Sequence, residues 1–82
     1  MEDQISSSRH KVVGTKQTIK ALEQGEVLQV FIAGDAEGKV IKPVINLCKK
    51  TNLEPQYVDT MGQLGKMFGI KVKAATAAIL KD

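Results

Sequence analysis

The run Val27-Leu28-Gln29-Val30-Phe31-Ile32-Ala33 constrains this chain more than any other feature. Only Gln29 interrupts it, so a strand built from it presents apolar side chains on both faces. Such a strand needs cover from both sides, which suits the middle of a sheet flanked by helices. At 82 residues the chain has room for one core of this kind, and we read residues 1–82 as a single domain.

The flanking sequence supplies the covers. Val12-Val13, closed by Gly14-Thr15, reads as a short strand and its turn. Lys16 to Gln24 has helical spacing, with Ile19 and Leu22 inward and Lys16, Gln17, Lys20 and Gln24 outward. Thr15 is the expected N-cap and Gly25 the stop. After the loop Gly34-Asp35-Ala36-Glu37-Gly38, a second helix runs to about Thr51, with Val44, Leu47 and Cys48 on one face and Pro43 in its first turn or at a kink. Glu54 to Asp59 suits a short strand. Met61 to Phe68 suits a third helix, with Leu64, Met67 and Phe68 inward and Gly69 as its stop. The tail from Val72 to Leu80 is expected to close the sheet as a strand. The β-α-β-α-β-α-β order places helices on both faces of the sheet, and short helical crossovers predict mostly parallel strand pairs.

Little in the chain suits catalysis. One Cys and one His exclude a zinc finger, an iron–sulfur site and a disulfide framework. Cys48 falls on an inner helix face and reads as packing; His10, between Arg9 and Lys11, reads as a surface residue. The segment GDAEG has neither the spacing nor the lysine of a phosphate-binding loop, and the acids are scattered singly. We therefore expect a binding module, with no enzymatic activity and no cofactor. The start MEDQISSSRH is acidic and then polar, unlike a signal peptide, and the apolar stretches are too short to span a bilayer. With a lone Cys, this fits a cytoplasmic protein without a membrane partner.

Net charge is +3 and unevenly spread. Residues 9–20 carry Arg9, Lys11, Lys16 and Lys20, and residues 60–81 carry Lys66, Lys71, Lys73 and Lys81, with no acid in either segment. Residues 21–59 set four lysines against six acids and net −2. If the fold joins the two outer segments, it has one basic face of the kind that meets nucleic acid; lysines that merely keep a protein soluble are the plainer reading.

Two segments concentrate binding chemistry. In GTKQTIK, residues 14–20, Gly14 permits close approach and the N–H groups of Lys16, Gln17 and Thr18 point out of a helix start that favours anions. Lys16 and Lys20 lie one turn apart beside the Gln17 amide, a set able to meet a guanine edge near a phosphate. The same pattern also describes an ordinary solvated helix. In Gly69-Ile70-Lys71-Val72-Lys73, branched apolar residues alternate with lysines. By periodicity alone, Ile70 and Val72 begin a strand and enter the core; at a loop tip they would instead hold an unstacked base.

Taken together, GTKQTIKALEQG, VFIAGDAE and LGKMFGIKVKAATAAIL, in this order, resemble the kink-turn RNA-binding ribosomal proteins of the L-seven-Ae type, in particular their short bacterial branch. The likeness covers nearly the whole chain. It implies a three-layer α-β-α sandwich around a four-stranded mixed sheet. It further implies that the partner is structured RNA, ribosomal or other, containing a kink-turn: a duplex bent at a short bulge beside tandem sheared G·A pairs. No DNA partner is expected. On this resemblance Lys16, Gln17 and Lys20 touch the guanine edges and nearby phosphates, and Gly14 and Thr15 allow the close approach. Ile70, Lys71 and Val72 pack on the bulged nucleotides; since alternation sends Ile70 and Val72 to one face, at least one of them, Val72 before Ile70, is expected to stay exposed in the free protein. Glu37, and with it Ile41, match positions that contact a flipped-out base in some members. Gln17 stands where many relatives have Glu, Gln24 where some have Arg, Lys71 where many have Glu, and Met61 where many have Lys. A protein-interaction module of the same fold is the alternative, and an RNA-modifying enzyme, in which this fold serves as a substrate-binding domain, a third.

Overall fold

The computed structural model describes residues 10–81; Arg9, the polar start and Asp82 lie outside them. The elements are β1 (Lys11–Val13), α1 (Thr15–Glu23), β2 (Val27–Ala33), α2 (Gly38–Lys50), β3 (Gln56–Val58), α3 (Met61–Met67) and β4 (Thr76–Leu80). The strands form one sheet in the order β1-β4-β2-β3.

The apolar run does what its composition demands. Alternate residues of β2 enter different cores: Val30 and Ile32 pack with Ala21 and Leu22 of α1 and with Val44 and Cys48 of α2. Phe31 and Ala33 pack with Val58, Leu64 and Phe68 below the other face. The Phe31 and Phe68 rings meet edge to face, centroids 5.5 Å apart. Full burial of each large side chain here contributes about 1.5–3 kcal/mol, so the two small cores together hold the three layers. Cover fails only at Leu28, which is 60% exposed where the β2–β4 register slips between Val27 and Gln29.

The expected mostly parallel sheet is not what forms. Only β2 and β3 are parallel; β4 lies antiparallel to both β1 and β2. The reason lies in α3. At seven residues it rises only about 10 Å, and the chain after it turns back, so that the Ala74 N–H donates to the carbonyl of Met61, the first residue of α3. The chain therefore enters β4 from the end at which β3 finished. Two smaller corrections follow. The last strand starts at Thr76 rather than Val72, since residues 71–72 form a bend. Pro43 lies inside α2, beyond its first turn.

This topology gathers four loops. Val13 pairs with Ala77, Ile32 with Thr76, and Ala33 with Val58. The C-terminal ends of β1, β2 and β3 and the N-terminal end of β4 thus share one end of the sheet. Residues 14–20, 34–38, 59–61 and 70–75 meet there.

Candidate nucleic-acid interface

The β1–α1 junction is built on Gly14. Its φ of 108° lies where a residue with a side chain is strained, and its outer side is open, with nothing near a would-be Cβ. Its N–H donates to the Thr76 carbonyl at 2.9 Å, and its own carbonyl accepts the Thr18 N–H at 3.0 Å. Gly14, not Thr15, is therefore the N-cap, and among the described residues no side chain caps α1. Thr15 is the first helical residue, and its hydroxyl accepts from that of Thr76 at 3.3 Å. The N–H groups without an intrahelical acceptor are thus those of Thr15, Lys16 and Gln17; Thr18, expected among them, is already bonded and its side chain is buried. Lys16, Gln17 and Lys20 are exposed and, with Ile19 and Glu23, line a shallow groove.

Residues 70–73 form the second part. Gly69 ends α3 at positive φ, and the Ile70 N–H donates to the Gly65 carbonyl at 3.0 Å. Ile70 is half-buried against the Phe31–Phe68 core, whereas Val72 is 68% exposed between exposed Lys71 and Lys73. Alternation would send both to one face, but the bend separates them. Ile70, Lys71, Val72 and Lys73 line a groove with Gly62 and Lys66 of α3. The groove depends on Gly65, whose Cβ, if it had one, would collide with the Val72 carbonyl.

The third part is the β2–α2 loop. Gly34 donates to the Val58 carbonyl at 2.6 Å, and Asp35 accepts the Met61 N–H at 2.8 Å, fixing the loop to the start of α3. Glu37 is exposed, 3.7 Å from the Lys39 ammonium. Ile41 is half-buried and packs on the core shared by α1 and α2.

The fold therefore brings the GTKQTIK segment and residues 70–72 together at the ends of neighbouring strands β1 and β4, with Glu37 beyond β2. The two acid-free segments do join. Lys11 of the first is engaged in this joint: its ammonium donates to the Phe68 carbonyl at 3.0 Å, satisfying the C-terminal end of α3. Sequence reasoning gave Asp35 and Gly65 no part in shaping this end of the sheet, because Asp35 acts on Met61, far along the chain, and Gly65 acts on Val72 across a turn. Cys48 is fully buried, and burial pushes its thiol above the ordinary range. Among the described residues, no three His, Cys, Asp or Glu side chains gather as metal ligands, and no helix is long and apolar enough to cross a membrane.

A four-stranded mixed sheet between two helical layers, with basic and apolar side chains gathered at one end, defines a small α/β binding domain. The chain belongs to the ribosomal protein L7Ae/L30e/S12e/Gadd45 family, whose model matches residues 2–82. It is 48% identical over 79 residues to an RNA-binding protein of Halalkalibacterium halodurans, covering 96% of each chain. It is 50% identical over 68 residues to an RNA-binding protein of Caldanaerobacter subterraneus subsp. tengcongensis, covering 83% of each. Among solved structures, the Giardia lamblia 15.5kD RNA binding protein superposes with a TM-score of 0.88 over 99% of this chain and 68% of that one. At 20% identity, that likeness concerns the fold.

Proposed function

We propose that the protein is a non-catalytic, cytoplasmic RNA-binding domain that recognises kink-turns in ribosomal or other structured RNA. The observation that carries this reading is the convergence at one end of the sheet. An uncapped helix start with Lys16, Gln17 and Lys20 lies near an exposed Val72 held between Lys71 and Lys73. The first group offers ammonium and amide donors to guanine edges, and three orphan N–H groups to a phosphate. The second offers an apolar surface to an unstacked base and charge to its backbone. Gly14 keeps the helix start open to close approach, and Glu37 lies at the same end for a flipped-out base. A regular duplex presents neither a widened groove nor an unstacked base, so the two groups together favour a kinked RNA. Family membership and the RNA-binding names of the relatives support an RNA partner.

Filter binding to a kink-turn, to the same RNA with Watson–Crick pairs in place of the tandem G·A pairs, and to a plain duplex tests the reading. The kink-turn should bind tightest, and replacing the G·A pairs should cost more than changing helix sequence beyond them. With three or four phosphate contacts, the log–log salt slope should be about −2 to −4. Equal affinity for all three RNAs would overturn the proposal.

A further inference from the structure

The net charge of −2 over residues 21–59 conceals where its four lysines sit. All belong to α2. At about 100° per residue, Lys39, Lys42, Asn46, Lys49 and Lys50 fall on one side of the helix, opposite the buried Val44 and Cys48. All five are exposed. No acid occurs within Gly38–Lys50. The acids of the segment lie elsewhere: Glu23 and Glu26 flank the end of α1, Asp35 accepts the Met61 N–H at the start of α3, and Glu54 and Asp59 flank β3. Among the described residues, Glu37 approaches the stripe, 3.7 Å from Lys39.

Helix stability accounts for half of this arrangement. Lys49 and Lys50 occupy the last turn, where the macrodipole favours cations. Lys39 lies in the first turn and Lys42 soon after it, toward the end that disfavours them, and no acid stands in that turn. The stripe is also placed to continue the candidate interface. Both α1 and α2 start at the loop-bearing end of the sheet and pack side by side on one face. A duplex held at that end can extend along α2. From Lys39 to Lys50 the helix rises about 16 Å, long enough to run beside several base pairs of a duplex. The stripe holds no aromatic and no apolar side chain besides Pro43, so it suits charge rather than base edges.

We propose that this face of α2 is a second RNA-contact surface, where Lys39, Lys42, Lys49 and Lys50 meet the phosphates of a duplex arm leaving the primary site. The proposal rests on the RNA-binding reading above. Its occupant is duplex RNA, recognised by charge and without regard to sequence.

The test compares the full chain with its Lys42→Gln/Lys49→Gln double variant on three RNAs. Two share one kink-turn but differ in arm length, one stopping beside the kink and the other extending past the stripe; the third is a plain duplex. On the long-arm RNA, each lost phosphate contact reduces the steepness of the salt slope by about 0.9. Raising salt from about 50 to 200 mM should therefore weaken the wild type roughly tenfold more than the variant. On the short-arm RNA the two proteins should bind alike. If they also bind alike on the long-arm RNA, with equal slopes, the stripe is a solvated helix face and the proposal is overturned. The plain duplex separates this from failure of the kink-turn reading. A wild type with no kink preference, but tighter on duplex than the variant, loses the primary site and keeps the α2 surface. A kink preference equal in both proteins on every RNA does the reverse.

Discussion

The backbone of Gly65, in the middle of α3, faces the carbonyl of Val72 with no room between them for a β-carbon. This approach seats residues 70–73 on the helix, and the Gly65 carbonyl adds a bond from the Ile70 N–H. A loop rich in lysine and branched residues is thereby held at the end of β4 without entering the sheet. Its exposed valine is available because a glycine one turn into α3 lets the chain lie close.

Gly65→Ala tests that dependence. Alanine favours a helix interior over glycine by about 1 kcal/mol, which opposes the collision. The obstacle is backbone, and it cannot rotate away as the end of a flexible side chain could. Overpacking should win, with a net loss of about 1–2 kcal/mol in chemical denaturation and weaker kink-turn binding. A stabilised variant with unchanged RNA affinity would show that the loop is not seated this way.

Ile70 and Val72 should separate cleanly. Ile70 packs against the Phe31–Phe68 core, so Ile70→Ala should lower stability by roughly 1–3 kcal/mol. Val72 is mostly exposed, so Val72→Ala should change stability by less than about 0.5 kcal/mol. It should weaken RNA binding by about 1–3 kcal/mol if the side chain carries an unstacked base. Denaturant midpoint and RNA affinity measured on the same samples decide both. A Val72→Ala variant that loses stability but not affinity would return the residue to a packing role.

The layered fold was legible because β2 states it: a strand apolar on both faces requires helices above and below. The helices were legible to within a residue or two, since Leu22, Val44, Cys48, Leu64 and Phe68 recur at helical spacing and all are buried. Strand direction was not. It depends on the short α3 being followed by a return, and periodicity carries no information about where a chain re-enters a sheet. The alternation at Ile70–Lys73 misled for a related reason. A bend fixed from outside by Gly65 looks, residue by residue, like the start of a strand. Summed charge misled over α2, where four lysines sharing one face were averaged with acids from other elements.

Lys20 and Lys81 distinguish a site from diffuse attraction. Both are exposed lysines, but Lys20 lies on α1 beside Lys16 and Gln17, whereas Lys81 follows β4 at the other end of the sheet. Lys20→Ala should weaken kink-turn binding by about 1–3 kcal/mol if its ammonium meets a guanine edge. Lys81→Ala should cost less than about 0.5 kcal/mol, because screening removes most of an interaction beyond about 8 Å at physiological salt. Titrating both variants against the same kink-turn checks this. Equal losses would mean that total charge, and not the α1 surface, sets the affinity.

Cys48 gives the fold a signature at alkaline pH. Its side chain is fully buried between α2 and the sheet, and desolvation pushes the thiol above its ordinary range in the folded protein. In the unfolded chain the thiol ionises near its free value of about 8.5. Below that pH both states hold the proton, and the contribution to stability is fully present. Above it the unfolded state releases the proton first, so stability falls as pH rises toward the folded value. Cys48→Ala should be less stable at neutral pH through the small cavity it leaves, and its stability should decline less steeply above about pH 8.5. Denaturant melts of both proteins from neutral to alkaline pH measure the difference. Thiol labelling of the wild type at mildly alkaline pH should proceed no faster than the chain opens. Rapid labelling of the folded protein, or parallel pH profiles for the two, would place Cys48 in contact with solvent and contradict its position in the core.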